Sequence, residues 1–213
     1  MVQSSWLTGK QAITHAVRVW KVDIISMSFG FTNESEAGCS ELRDAILEAH
    51  SAGVLMFAAA SNSGVHSLIP AFPARLSNVF CIFAGDGMGN SGPTNPTPRR
   101  NRYNFMTLGE AVESAWPRSL SQYPWMQRKS GTSFATPIAA GIAAFLILYA
   151  QQNLGLAHGR RFKQYEKMED LLFHMSHERQ GYNVLSLSDF FKRPSPERNI
   201  LLMNLLDGKP WKA

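Results

Sequence analysis

The chain has 213 residues, which fits one large domain or at most two small ones. Hydrophobic residues make up 45% and charged residues only 17%, and this balance excludes a disordered chain and a coiled coil. The net charge is only +5, and the one tight basic cluster, Arg99, Arg100 and Arg102, lies in a Pro/Asn-rich stretch typical of a solvated loop, so we expect no nucleic-acid partner.

The first part of the chain alternates helix and strand patterns. Residues 10–20 carry apolar side chains at helical spacing, and residues 23–30 form a short apolar run. A helical pattern over 40–53 is followed by a second apolar run over 54–60. A strand, a helix and a strand with short connections predict a βαβ unit with parallel strands.

The rest of the chain continues this sheet and then becomes helical. Residues 79–85 and 103–109 are predicted strands. Residues 134–150 predict a central helix buried on all sides, because the run is shorter than a membrane span needs and contains Pro137. We therefore expect an α/β fold of three layers, a mostly parallel sheet with helices on both faces, over residues 1–153. A helical extension over 154–213 is expected to pack on it.

Several features bear on compartment and ligands. Cys39 and Cys81 show neither a disulfide framework nor metal-ligand spacing, so they are interpreted as buried thiols in a reducing compartment, with a disulfide as the alternative. No basic segment followed by an apolar run begins the chain, which predicts an intracellular, cytoplasmic protein. No carboxylate cluster has the spacing of a calcium site. We expect no metal, no cofactor and no membrane partner.

A serine stands where the predicted central helix opens, in the segment Ser130–Pro137 (SGTSFATP). Backbone N–H groups at a helix N-terminus have no intrahelical partner and can bind a developing oxyanion. The segment is therefore a candidate for nucleophilic catalysis. A plain helix cap is the alternative, because Ser and Thr are preferred at that position.

Three other segments follow predicted strands. Ala58–Gly64 contains Asn62, whose amide NH2 is placed to reach a substrate oxygen, unless the segment is simply an Asn-Ser-Gly turn. Ser26–Gly30 is by itself only a strand end. Gly85–Asn90 is similar to a dinucleotide-binding loop but lacks its third glycine, and we interpret it as a turn.

Together, three of these segments resemble the subtilisin-like serine peptidase family (peptidase S8). SGTSFATPIAAG resembles the family's nucleophile signature, G-T-S-x-A-x-P followed by A-G. AAASNSG resembles the strand end that supplies an oxyanion-hole asparagine, and DIISMSFG resembles the strand that lines the substrate cleft. The three occur in the family's order, and the resemblance covers about residues 10–150.

The resemblance implies a role for each of eight residues. Ser133 would be the acylating nucleophile, and the Asn62 side chain with the Ser133 backbone N–H would form the oxyanion hole. The remaining residues would bind an extended polypeptide substrate: Ser28, Phe29 and Gly30 as a pairing edge, and Ala59, Ala60 and Ser61 as the wall of the pocket for the residue before the scissile bond. Ser61 stands where the family usually has glycine.

The chain departs from the family in lacking two motifs. Subtilisin-like enzymes place the catalytic Asp in D-[ST]-G and the His in H-G-T, both before the serine, and neither motif occurs here. We assign neither role to Asp23 or to any of the six histidines: His15, His50, His66, His158, His174 and His177.

These observations predict the C-terminal half of a subtilisin-like catalytic domain, incomplete at its N-terminus. A serine hydroxyl without its base is a weak nucleophile, so we expect proteolysis only if a missing N-terminal half or another chain completes the triad. Such a chain would also expose a sheet edge and apolar surface. The alternatives are a pseudo-protease that binds peptides without chemistry and a non-peptidase α/β protein.

Overall fold

The computed structural model of the chain describes residues 2–32, 39–64, 69–117, 119 and 125–209. A six-stranded sheet forms its centre, in the order β1-β2-β3-β4-β8-β7. In chain order the strands are β1 Ile24–Met27, β2 Leu55–Ala59, β3 Phe80–Gly85, β4 Phe105–Leu108, β7 Ser176–Arg179 and β8 Tyr182–Leu185. A separate two-stranded antiparallel hairpin is formed by β5 Val112–Ala115 and β6 Met126–Lys129.

Seven α-helices surround the sheet in the described part of the chain. They are α1 Val2–His15, α2 Cys39–Ser51, α3 Thr132–Leu154, α4 Leu156–Arg161, α5 Tyr165–His174, α6 Ser188–Phe191 and α7 Ser195–Leu206. A short π-helical turn, Ala16–Trp20, follows α1 directly. The segment predicted as a helix over 10–20 is thus the end of a longer element.

The pairing of the strands confirms the predicted parallel sheet. β1 pairs with β2, β2 with β3, β3 with β4 and β4 with β8, all in parallel, while β7 pairs with β8 antiparallel. Parallel neighbours end at the same edge, so the segments that follow β1 and β2 are brought together. The register Met27↔Ala58 at the ends of these two strands fixes that alignment.

Helices cover both faces of the sheet, and this confirms the predicted α/β class. Alternate residues of β2 divide between two cores, since side chains point to opposite faces along a strand. Phe57 belongs to the core formed with α3, α5, α6 and α7 on one face, and Met56 belongs to the core formed with α2 on the other. Cys39 and Cys81 form no disulfide and are buried in the second core, where desolvation raises the pKa of the Cys81 thiol to about 12.

Helix α3 lies directly against the sheet, but the prediction that it is buried on all sides is wrong, because part of its surface away from the strands is exposed. A stripe of alanines faces inward, and Ala135, Ala139 and Ala143 are all fully buried. Small side chains let the helix backbone approach the strands closely. By length and composition α3 also resembles a membrane span, with a mean hydropathy of 1.8 over 18 residues. Its outer surface leaves Phe145 and Leu148 46% and 51% exposed.

The C-terminal segment is more than a helical extension. It contains helices, as predicted, but residues 176–185 form the hairpin β7–β8, and β8 extends the main sheet by pairing with β4. The helical pattern did not predict this hairpin, because a four-residue strand carries little periodic signal and depends on its distant partner. Whether the domain ends at residue 153 stays a prediction.

Candidate active site

A cleft of about 270 Å³ opens where β1 and β2 end and α3 begins. Seven of the eight residues singled out from the sequence line it: Ser28, Phe29, Gly30, Ala59, Ser61, Asn62 and Ser133. They come from three separate segments, and the parallel alignment of β1 and β2 is what joins the first two. The third joins because α3 begins beside the ends of these strands.

Ser133 is the second residue of α3 and is half-buried at the mouth of the cleft. Its hydroxyl donates a long hydrogen bond of 3.4 Å to the backbone carbonyl of Ser28. Its backbone N–H donates to no acceptor within the described residues, as expected in the first turn of a helix. A hydroxyl and an unpaired N–H of the same residue therefore both lie at the cleft.

The side-chain amide of Asn62 is held in one orientation by Thr132. The backbone N–H of Thr132 donates to Asn62 Oδ1 at 2.9 Å, and the Thr132 hydroxyl lies 3.2 Å from the same atom. A backbone N–H can only donate, so the atom facing it must be the amide oxygen. The Asn62 Nδ2 group is left as a donor with no hydrogen bond inside the described part of the chain, at the exposed lining of the cleft.

Gly131 fits between this asparagine and the start of the helix only because it lacks a side chain. Its φ is +145°, and an added Cβ would lie 3.0 Å from Asn62 Nδ2 and 3.2 Å from Oδ1. Its N–H donates to the carbonyl of Gly109 at 2.8 Å. The glycine before Thr132 and Ser133 therefore allows the asparagine to reach the helix N-terminus.

The segment after β1 forms the opposite rim. Phe29 is 39% exposed, and the backbone groups of Phe29 and Gly30 make no hydrogen bond with described residues. At Gly30 an added Cβ would lie 2.7 Å from the Cβ of Ala71, so only glycine allows this close approach. An extended peptide bound here would find free backbone donors and acceptors.

Ala60 is the one predicted site residue that does not line the cleft. It is fully buried, its N–H donates to the carbonyl of Ile82 at 3.0 Å, and its carbonyl accepts from the Ala71 N–H at 2.8 Å. Ala60 therefore fixes the backbone of the cleft wall through these two hydrogen bonds. Its predicted contact with substrate stays a prediction.

Sequence reasoning overlooked four residues of this site. Thr132 orients Asn62, while Thr32, Ser63 and Ala71 line the cleft. Thr132 lies inside the G-T-S motif, so its motif position was a usable signal. Nothing in the local pattern around Thr32, Ser63 or Ala71 identifies them, because their place depends on how the loops after β1 and β2 meet.

No carboxylate or imidazole lines the cleft among the described residues. Asp23 precedes β1 and forms an ion pair with Lys163, about 16 Å of extended strand away from Ser28. His15 packs edge-on against Trp20. His66 lies outside the described residues. The described residues also contain no group of three or more His, Cys, Asp or Glu placed to hold a metal ion.

The Gly85–Asn90 segment is a turn, as predicted. Asp86 Oδ1 accepts hydrogen bonds from the N–H groups of Met88 and Asn90, each at 2.8 Å. The Asn90 side chain also donates to Asp86 Oδ2 at 2.8 Å, and these bonds hold the pKa of the Asp86 carboxyl below its usual value. The Asp86 carboxylate thus stabilises the turn through hydrogen bonds within it.

Comparisons with a family profile and with individual proteins all match the same family. The profile of the subtilase family (peptidase S8) matches residues 4–187. The subtilisin-like protease het-Q2 of Podospora anserina is 34% identical over 137 residues, covering 62% of this chain and 36% of that protein. Thermitase of Thermoactinomyces vulgaris is 33% identical over 146 residues, covering 67% of this chain and 46% of that protein. The chain spans between about a third and a half of the length of these relatives.

Solved structures with the same fold include two maturation proteases. The self-cleaved protease domain of PatA has a TM-score of 0.70 at 25% identity, covering 96% of this chain and 69% of that one. The prenylagaramide maturation protease PagA has a TM-score of 0.69 at 24% identity, covering 86% of this chain and 66% of that one. The second likeness concerns the fold alone.

Proposed function

The chain belongs to the subtilase family, and from that premise we propose that it carries the nucleophile and oxyanion half of a serine endopeptidase site. Ser133 is the proposed nucleophile, and Asn62 Nδ2 with the Ser133 N–H are the proposed oxyanion donors. The substrate class is a polypeptide in extended conformation. The general base and its carboxylate partner are proposed to come from a polypeptide segment outside the residues that line the cleft.

The observation that carries this proposal is the hydrogen bond from Thr132 N–H to Asn62 Oδ1 at 2.9 Å. It leaves the Asn62 NH2 as an unpaired donor beside the unpaired N–H of Ser133. Asn62 and Ser133 line the same cleft, and two preorganised donors there are what a tetrahedral intermediate needs for its oxyanion. A plain helix cap explains neither the asparagine nor the cleft in front of it.

In the proposed reaction, the substrate backbone lies along Ser28–Gly30 and its scissile carbonyl oxygen enters between Asn62 and Ser133. Ser133 Oγ attacks the carbonyl carbon as its proton passes to the supplied base. The C–N bond then breaks, the amine leaves with that proton, and an acyl ester on Ser133 remains. Water attacks the ester through the same oxyanion donors and releases the acid and free Ser133.

Two surfaces of the described chain have no partner, and both support the proposal that another polypeptide completes the active site. β1 is an edge strand that pairs only with β2, so its outer backbone groups are available for another strand. The outer face of α3 exposes Phe145 and Leu148. An open strand edge and an apolar helix face are both typical of surfaces that a further element covers.

A peptide-binding pseudo-protease is the second candidate function. The absence of a carboxylate or imidazole from the described lining of the cleft favours it, because Ser133 then has no base to activate it. In this alternative the chain binds an extended peptide along Ser28–Gly30 and releases it uncleaved.

A fluorophosphonate probe distinguishes the two. The oxyanion donors alone give a residual reactivity, so the enzyme proposal expects slow labelling that Ser133→Ala abolishes. It also expects faster labelling once a polypeptide carrying D-[ST]-G and H-G-T segments, such as one encoded in frame upstream of Met1, is co-expressed. A folded chain that binds peptide but takes no label in either condition would instead support the pseudo-protease.

A further inference from the structure

Ser61 has a backbone conformation that a serine rarely adopts. Its φ is +131°, in the region that favours glycine, and it is the one described non-glycine residue with so large a positive φ. Such conformations persist when the surrounding structure holds them, and they cluster at functional sites. Ser61 lines the cleft and comes directly before Asn62.

Hydrogen bonds on both sides hold Ser61 in this conformation. Its hydroxyl is 2.8 Å from the hydroxyl of Ser63, and the Ser63 N–H donates to it at 3.2 Å. Its own N–H donates to the Thr132 hydroxyl at 3.4 Å, the same hydroxyl that contacts Asn62. These hydrogen bonds lock the Ser61 side chain in one orientation. Through the Thr132 hydroxyl, Ser61 is also linked to Asn62, the proposed oxyanion donor.

The position of Ser61 determines which part of a substrate it meets. If a carbonyl oxygen lies between Asn62 and Ser133, the side chain of the residue that bears this carbonyl is only two bonds from the carbonyl carbon. It must then lie next to the residues near Asn62 that line the cleft, namely Ala59, Ser61 and Ser63. With glycine at position 61, the space taken by the hydroxymethyl group would be open.

We infer that Ser61, locked by Ser63, is a specificity-determining residue that restricts the residue before the scissile bond to a small side chain. The inference rests on the proposed function, since it assumes that a peptide carbonyl lies at Asn62. The substrate class is narrowed to peptides with glycine, alanine or serine at that position. Bulky aromatic side chains meet the locked hydroxymethyl group and are excluded.

Binding of two product-like peptides to the full chain tests the inference without requiring turnover. The probes are N-acetylated tetrapeptides with a free C-terminal carboxylate, identical except for a final Ala or Phe, and affinities are measured by calorimetry. We expect the Ala peptide to bind at least about tenfold tighter to the unmodified chain. In Ser61→Gly the Phe peptide should gain affinity until the two differ by less than about threefold.

Ser63→Ala is the matched control, because it removes the lock and keeps the Ser61 side chain. It should shift the Ala-to-Phe ratio in the same direction as Ser61→Gly, but by less. Ser61→Gly should also raise the Tm by a few degrees, because glycine adopts this φ without strain. A Tm increase with an unchanged ratio would mean that Ser61 is merely structural, and it would overturn the inference.

The binding results distinguish a failure of the specificity inference from a failure of the proposed function. If both peptides bind and Ser61→Gly leaves their ratio unchanged, the specificity inference is wrong and the peptide cleft stands. If neither peptide binds to the folded chain or to its variant, the proposed function fails, and the inference fails with it.

Discussion

The hydroxyl of Ser28 donates a hydrogen bond of 2.8 Å to the backbone carbonyl of Ser133, while the hydroxyl of Ser133 reaches back to the carbonyl of Ser28 at 3.4 Å. The two residues are 105 positions apart in the chain. This reciprocal contact fixes the N-terminus of α3 against the end of β1. It also gives the Ser133 hydroxyl a partner that binding of a substrate N–H to the Ser28 carbonyl would displace.

Ser28→Ala should lower the free energy of unfolding by about 1 kcal/mol, because it removes the shorter of these two hydrogen bonds. Urea denaturation followed by circular dichroism measures the change. Ser26→Ala, an exposed serine of β1, is the matched control and should change stability by less than about 0.5 kcal/mol. Equal effects of the two substitutions would show that the Ser28 contact contributes nothing specific.

Asn62→Asp should slow fluorophosphonate labelling of Ser133. Removal of one oxyanion donor from a subtilisin lowers kcat by about 10²–10³-fold, and we take that figure as the upper range of the effect here. The aspartate keeps an oxygen for the Thr132 N–H but loses the NH2 donor, so the fold should be preserved. Unchanged labelling in a folded variant would contradict the assignment of Asn62 as an oxyanion donor.

Gly131→Ala should destabilise the chain by about 1–3 kcal/mol and abolish labelling, because its φ is +145° and the new Cβ would press on the Asn62 amide. Gly141→Ala is a control that is expected to change the stability in the opposite direction. An added Cβ at Gly141, in the interior of α3, meets nothing within 4 Å, so this substitution should stabilise by about 0.5–1 kcal/mol. Thermal unfolding of both variants compares the two effects directly.

Leu148→Lys should reduce self-association of the chain and leave its Tm nearly unchanged. Leu148 is 51% exposed on the outer face of α3, where an apolar surface favours contact with another copy. Sedimentation velocity measures the association. Gln152→Lys adds the same charge one turn later, also at an exposed position, without removing an apolar side chain. If it reduces association as much as Leu148→Lys, net charge and not the apolar face is responsible.

Glu169→Gln should make the chain more stable at neutral pH but not under acidic conditions. Desolvation raises the pKa of the Glu169 carboxyl above 4.5 in spite of the hydrogen bond from Tyr165. The folded state then holds this proton more tightly than the unfolded state does. Stability is therefore lost as the pH rises from about 4.5 through the raised pKa.

The Tm of Glu169→Gln and of the unmodified chain, measured across this pH range, checks the prediction. The two curves should converge at the acidic end and separate as the pH rises. A constant difference at every pH would instead indicate a lost contact with Tyr165, and the predicted titration would be wrong.

Local sequence patterns were sufficient for the parallel core and for seven of the residues that line the cleft. Apolar runs bounded by turns predicted β1 to β4, and the run over 134–150 predicted α3, because burial on both faces of a sheet requires continuous apolar residues. The G-T-S-x-A-x-P pattern singled out Ser133, because it depends on residue type and spacing within one short segment.

Contacts between distant segments decided the rest. The orientation of the Asn62 amide depends on Thr132, the left-handed backbone of Ser61 depends on Ser63 and Thr132, and β8 is a strand because β4 pairs with it. None of these has a local signal, because the energy that selects each conformation comes from groups far away in the chain. The sequence by itself thus singled out seven of the residues that line the cleft, and the tertiary structure decided which of their atoms are free to act in it.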